Sequence, residues 1–389
     1  MPILSALLAT VMAGNPTFAS DLAFLKQHTQ VVLLHDAHGA AVAVVPAWQN
    51  RVVTSTYDSK GGLSMGFINY PLVKSGKITP HIYPVGGEDR IWFGPEGGQF
   101  SLFFKGGSPF DLDHWQTPAP IDTEPFDVVS QKPTAIACAK HTKLTNYSGT
   151  EFKMDILRVV KMLTPGETKA ALGMALPSSV QSVGFESINK ITNAGEQQWN
   201  EQTGEVSVWI LAMLKHSATT TAIVPFKPGP VESMGPLVND TYFGKVPADR
   251  LKIHGNAAFF KCDGQKRTKI GVNANRALDV VGSFDPKRNL LTVMKFTRPH
   301  TTKYVNSMWE IQKDPFGGDV VNSYNDGIPG PGKKPLGPFY EIEDSSPALG
   351  LGPHETATHI SRTFHIHGPL PVLRAIAKKV LGVDISPAG

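Results

Sequence analysis

Cysteine is scarce in this 389-residue chain: Cys138 and Cys262 are its two. Their spacing makes no zinc motif. In an oxidising compartment they can pair, and two buried free thiols fit the sequence equally. An excess of one charge is also lacking. There are 37 basic and 33 acidic residues, a net charge of +4, and the excess is spread along the chain, which argues against nucleic acid as a partner. Beyond the N-terminal segment no apolar run approaches membrane-spanning length, so no membrane insertion is expected after processing. No internal repeat of about 20–50 residues stands out, which excludes a propeller or solenoid. The chain has no G-x-x-x-x-G-K-[ST] run, so its glycines form no phosphate loop. Convincing helical patterns are few.

Glycine (37) and proline (31) are plentiful and lie scattered between short apolar segments, as many turns between many strands require. The clearest strand candidates are 31–34, 40–46, 152–162, 184–192, 206–214, 219–225, 290–296, 339–343 and 356–367. Each is β-branched or aromatic-rich and bounded by turn residues. Asp263-Gly264 and Asn325-Asp326-Gly327 read as hairpin-type turns. Two helices are expected, Asp21 to His28 and Pro371 to Leu381. The second sets Leu373, Ile376, Ala377 and Val380 against Arg374, Lys378 and Lys379. The fold class is therefore all-β and antiparallel, closed by a C-terminal helix, with residues 20–389 as a single domain. Residues 1–19 read as a signal peptide: apolar from Ile3 to Ala13, then Thr17-Phe18-Ala19 as small-x-small before Ser20. No Lys or Arg precedes the apolar run, so a displaced start or an ordinary N-terminal helix stays open. The expected location is periplasmic or secreted.

The segment Gly337 to Gly368 is richest in chemistry. In a strand over 339–343, Glu341 and Glu343 share one face while Tyr340 and Ile342 share the other. Over 356–367, His359, Ser361, Thr363, His365 and His367 make a polar face opposite Ile360, Phe364 and Ile366. Two such strands would line a polar cleft; a solvated sheet face is the plainer alternative. A second segment, Gly86 to Gly98, offers Arg90 with its fixed fork of donors. It also carries Glu88 and Glu96 as acceptors and Trp92 as an apolar platform, with Trp115 nearby. An Arg–Glu ion pair in a structural turn is the alternative there. Asn322, Asn325 and Asp326 add polar groups in what reads as a turn.

The runs Phe339-Tyr340-Glu341-Ile342-Glu343, Ser346-Pro347-Ala348 and Leu351-Gly352-Pro353-His354-Glu355 resemble the C-terminal signature of aldose 1-epimerases. There a strand carrying the catalytic glutamate precedes an L-x-P-G-E turn. Glu341 or Glu343 falls at the glutamate position, and His354 stands where the turn has glycine. Ile191-Thr192-Asn193 resembles the T-N-H motif, but Ala194 stands where that motif has its catalytic histidine. Gly86-Gly87-Glu88-Asp89-Arg90, Gly94-Pro95-Glu96-Gly97-Gly98, Trp115 and Asn322 to Gly327 are more similar to an uncharacterised bacterial branch of the galactose mutarotase-like superfamily. That resemblance implies an antiparallel supersandwich with a mono- or oligosaccharide bound on one sheet face.

Two functions follow as expectations. One is an enzyme acting on a sugar (epimerase, hydrolase or lyase type), with Glu341 or Glu343 as base and His359, His365 or His114 as acid. Its substrate contacts would be Glu88, Arg90, Trp92, Glu96, Trp115, Asn322, Asn325 and Asp326. The alternative is a non-catalytic periplasmic carbohydrate-binding protein, which Ala194 favours. No cofactor is expected. A divalent metal would need the His365-Ile366-His367 pair, His359 and a glutamate together.

Overall fold

The computed structural model describes residues 16–330 and 332–385. The chain opens with strands β1 (Val32–His35), β2 (Ala41–Val45), β3 (Arg51–Thr56) and β4 (Gly87–Gly94). There follow β5 (Asp127–Lys132), β6 (Ala135–Thr145), β7 (Glu151–Met162), β8 (Gln181–Asn193), β9 (Ser207–Lys215) and β10 (Thr221–Pro225). The last third holds β11 (Leu251–His254), β12 (Ala257–Lys261), β13 (Thr268–Asn273), β14 (Val280–Asp285) and β15 (Leu290–Phe296). It ends with β16 (Asp319–Asn325), β17 (Phe339–Ser345) and β18 (Thr356–His367). The strands form an 8-stranded sheet, β1-β2-β3-β4-β9-β17-β16-β13, and a 10-stranded sheet, β11-β12-β10-β14-β15-β18-β8-β7-β6-β5. Their ladders are antiparallel. The expected all-β sandwich is what forms.

Alternation sorts each strand between a core face and an outer face. From the 8-stranded sheet, Ile91, Phe93, Ile210, Ala212 and Ile342 are buried in the large apolar clusters that also hold Ile156, Val160, Phe185, Val281 and Met294 of the 10-stranded sheet. A polar layer runs through the same interior. Arg158 pairs with Asp89 and bonds Asn189 at 2.6 Å. His365 meets Glu88 at 2.5 Å, and His359 meets Asp344 at 2.5 Å. Buried polar groups persist in a core only when their hydrogen bonds are met there, and the three carboxylates, Asp89, Glu88 and Asp344, come from the opposite sheet.

Helix α1 (Phe18–His28) starts before the expected Asp21 because Thr17 caps it, its side chain accepting the Ser20 N–H. The expected processing point after Ala19 falls inside this helix, where Phe18 is fully buried; residues 1–15 lie outside the described residues. Helix α2 (Leu370–Val380) lays Leu373, Ile376 and Ala377 on Leu291, Val293, Phe364 and Ile366 of the 10-stranded sheet. No helix among the described residues is long and apolar enough to cross a membrane.

Three local expectations are corrected. Gly87–Gly94 is a strand rather than a glycine-rich turn, and Asp319–Asn325 is also a strand. Asp263-Gly264 closes no hairpin: β12 before it and β13 after it belong to different sheets. Both cysteines are free and buried, and burial pushes the Cys138 and Cys262 thiols up to about 11 and about 12.

Candidate functional site

The outer face of the 8-stranded sheet is built by register. Arg90 on β4 stands opposite Leu211 on β9, which stands opposite Glu343 on β17 and then Asn322 on β16. The next row sets Met213 beside Glu341, Tyr324 and Lys269. Trp92 stands opposite Trp209. This face therefore gathers two glutamates, an arginine, a lysine and large aromatic rings. A register shift in β4 between Gly87 and Arg90 sends Glu88 and Asp89 into the interior while Arg90 and Trp92 stay outside. Such a bulge re-aims side chains locally. Gly87 suits it, with φ at 113°; a Cβ there would stand 2.6 Å from the Arg51 Cδ.

Loops close over this face to make a recess. Arg90, Trp92, Glu96, Trp115, Trp209, Phe243, Arg267, Lys269, Tyr324 and Glu341 line it. Arg90 donates from Nη2 to Glu341 Oε1 at 2.9 Å and lies 4.1 Å above the Trp92 ring. Glu343 Oε2 accepts from Trp209 Nε1 at 2.9 Å and from Lys269 Nζ at 3.0 Å. Trp92 meets Trp209 edge-on at 5.6 Å, and Trp115 stacks on Phe103 and Trp309. A smaller recess shares Trp209 and Lys269 and adds Tyr242, Asp319 and Asn322. There Tyr242 donates to Asp319 at 2.6 Å, and Asn322 donates to the Tyr242 oxygen at 3.1 Å.

Several buried polar atoms here lack a partner: Arg90 Nε and Nη1, Trp92 Nε1, Trp115 Nε1 and Glu343 Oε1. Unmet buried groups are rare in folded proteins, and strain, a catalytic role or a bound water or ion accounts for them. Burial raises the Glu341 carboxyl to about 7, with Arg90 opposing and Glu343 adding to the rise. Burial also raises Glu96, against Lys269, with Glu343 reinforcing it. Asp319 is pushed up to about 6 by burial, against the hydrogen bond from Tyr242. Burial works against the Lys269 ammonium, but Glu343 and Glu96 outweigh it and raise that group. Shifted carboxyls sharing one recess are what proton-transfer sites contain.

Of the residues singled out from the sequence, Arg90, Trp92, Glu96, Trp115 and Glu341 come together in this recess. Glu343 sits beside it, held by Lys269 and Trp209, and Asn322 lines the smaller recess. Asp326 stands behind Tyr324, accepting its hydroxyl at 2.6 Å. The others are placed elsewhere. Asn325 lies on the core face, accepting the Gly264 N–H. Glu88 and His365 pair in the interior, as do Asp344 and His359. The polar face of β18 thus looks between the sheets, and its apolar Phe364 and Ile366 lie under α2. His114 is exposed beside Asp111. His367 stacks on Tyr57, and no group of three His, Cys, Asp or Glu among the described residues is placed to hold a metal.

Trp209, Lys269, Arg267, Phe243 and Tyr242 escaped the sequence reading. Trp209 lies in a strand apolar on both faces, which hides alternation. Lys266-Arg267 beside Lys269 reads as a solvated charge run, although Lys269 is 6% exposed. The Ile191–Asn193 run and the Leu351–Glu355 turn of the epimerase resemblance meet each other, but outside the recess that Glu341 lines. Asn193 donates to the Leu351 carbonyl at 3.0 Å and its own carbonyl accepts the His354 N–H at 2.8 Å. His354 has φ at 63°, the left-handed conformation that the family's glycine takes with ease. Larger recesses lie at the β11–β12 edge and beside Arg298 and His359; the first is lined by a single carboxyl, Asp249, beside Phe259 and Phe284, and the second by none.

Among solved structures the chain is similar to the Slr1438 protein of Synechocystis sp. PCC 6803, at 11% identity, TM-score 0.51, covering 88% of this chain and 96% of that one. It is also similar to a galactose mutarotase-like protein from Lactobacillus casei ATCC 334, at 12% identity and TM-score 0.46, covering 87% of this chain and 100% of that one. A galactose mutarotase related enzyme from Lactobacillus acidophilus matches at 8% identity and TM-score 0.46, covering 87% and 97%. The first of these likenesses bears on the fold alone, an antiparallel two-sheet sandwich. No curated protein matches the chain. One family model spans residues 16–388, and the chain belongs to that family, a family of unknown function (DUF6786).

Proposed function

We propose that this protein binds a carbohydrate on the outer face of its 8-stranded sheet and interconverts it at the anomeric carbon. The observation that carries the reading is Glu341: a buried carboxyl at about 7, gripped through one oxygen by Arg90, in a recess walled by Trp92, Trp115 and Trp209. Ring faces of this kind suit the apolar face of a pyranose, and the unpaired N–H groups suit its hydroxyls. A base near neutral pH is well matched to its task. Of the histidines expected as acids, His359 and His365 lie inside the sandwich and His114 is exposed beside Asp111, so Glu96, raised by burial and lining the same recess, takes that role. Glu341 takes the proton of the anomeric hydroxyl, the C1–O5 bond breaks, and O5 receives the proton of Glu96. Rotation about C1–C2 and the reverse steps give the other anomer, with both carboxyls restored. Action in the periplasm or outside the cell belongs to the same reading, from the apolar stretch at Ile3 to Ala13.

Exchange spectroscopy on free hexoses and hexuronates, with and without the full-length protein, tests this reading. Faster interconversion of α and β anomers is expected for at least one sugar. Binding without any acceleration would instead favour a non-catalytic carbohydrate-binding protein. Ala194, standing where the epimerases carry a histidine, keeps that second reading in play.

A further inference from the structure

The recess contains more cation than its own carboxylates use. Arg90 bonds Glu341 through one nitrogen, while its Nε and Nη1 are buried without partners. Trp92 Nε1 and Trp115 Nε1 are likewise unmet. Among the fully buried carboxylate atoms beside these donors, Glu343 Oε1 is the one without a partner. Arg267 is the second unspent guanidinium. It is half-buried at the rim, 3.7 Å above the Phe243 ring. It takes part in no ion pair among the described residues. The charge of Arg267 reaches Glu96 and Asp326, and the Asp326 oxygens already accept the Tyr324 hydroxyl at 2.6 Å and the Gly337 N–H at 2.8 Å. The charged groups facing the recess are Arg90, Arg267 and Lys269 against Glu96, Glu341 and Glu343. Burial raises the Glu96 and Glu341 carboxyls, against the pull of Lys269 and Arg267 on the first and of Arg90 on the second.

We propose that the ligand is an acidic carbohydrate, a uronic acid or a uronate-containing saccharide, whose carboxylate is taken by Arg267. This rests on the carbohydrate reading above and adds the substrate class. The flat fork of a guanidinium matches a carboxylate through two parallel N–H···O bonds. Phe243 holds that fork in place before the ligand arrives, so less freedom is lost on binding. The sugar ring then reaches the Trp92–Trp115–Trp209 wall, with the unmet N–H groups turned to its oxygens.

Calorimetric titration of the full-length protein with galacturonate and glucuronate, against galactose, glucose and glucose 6-phosphate, tests the proposal. At least one uronate should bind tighter than its parent hexose by about tenfold or more, the worth of one hydrogen-bonded charge contact. Arg267→Gln should bring that ratio close to one, and Arg267→Lys should restore part of it. Far-ultraviolet circular dichroism of each variant checks that it folds, and the ratio in the parent protein stands independently of the variants. Equal binding of uronate and hexose, or a preference for the phosphate ester alone, overturns the acidic-sugar class while leaving the carbohydrate reading intact. An unchanged ratio in a folded Arg267→Gln protein overturns the assignment to Arg267. Binding of none of these sugars overturns both.

Discussion

Glu341 and Glu343 share one strand face yet meet different surroundings. Glu343 is fully buried and tied by Lys269 and Trp209, whereas Glu341 keeps 8% exposure in its side chain and a single bond to Arg90. Their shared face was legible from alternation alone; their different roles were not, because Lys269 and Trp209 come from distant parts of the chain. A base at about 7 works only when ionised. Turnover is therefore expected to rise as pH passes upward through about 7, and a rate flat from pH 5 to 8 would contradict that role. The histidines of β18 lead the other way. Sequence spacing put His359 and His365 on one polar face, correctly, but which side of which sheet it faced depended on tertiary packing. His365→Ala strips Glu88 of its partner in the core. Such a change typically costs ~3–5 kcal/mol of stability, readable by urea unfolding, and sugar affinity should be retained in the folded fraction. Lost binding with unchanged stability would return His365 to the site.

At the scale of elements, strands with β-branched and aromatic cores could be read directly: β15 and β18 begin and end where the sequence placed them. Others were masked by their composition. β4 begins with glycine and three charged residues, and β16 carries Asp319, Asn322, Ser323 and Asn325, all of which imitate a turn. They hold as strands because neighbours on both sides supply the ladder and because their polar groups find partners, as Ser323 does on the Glu341 carbonyl at 2.7 Å. The bulge in β4 is the element that aims Arg90 outward and Glu88 inward. Gly87→Ala imposes a side chain at φ 113° and against Arg51. A loss of more than ~1 kcal/mol is expected, together with weakened sugar binding as Arg90 shifts. An unchanged unfolding midpoint would show that the bulge tolerates a side chain.

The whole molecule assigns its faces to different tasks: one outer face gathers the charged and aromatic recess, the other carries α2 over β14, β15 and β18, and ion pairs stitch the sheets between them. The sandwich class followed from many short strands and scarce helices. The pairing of β17 with β9 and β16, rather than with β18, did not, since antiparallel order over long loops leaves no local trace. Export, expected from the apolar stretch near the N-terminus, meets a constraint in α1, where Thr17 caps the helix and Phe18 is buried. N-terminal sequencing of protein recovered from the native periplasm or medium should find a chain that retains Thr17, and a chain starting at Ser20 would contradict the role given to that cap. Carbohydrate turnover by the intact protein rests on Glu341 above all. Anomeric exchange should be compared in the parent and in Glu341→Gln, using the sugar that binds best. Binding should persist while the exchange rate falls by ~10²–10⁴-fold, the usual worth of a general base. Exchange at the parent rate in a folded Glu341→Gln protein would show that the base lies elsewhere.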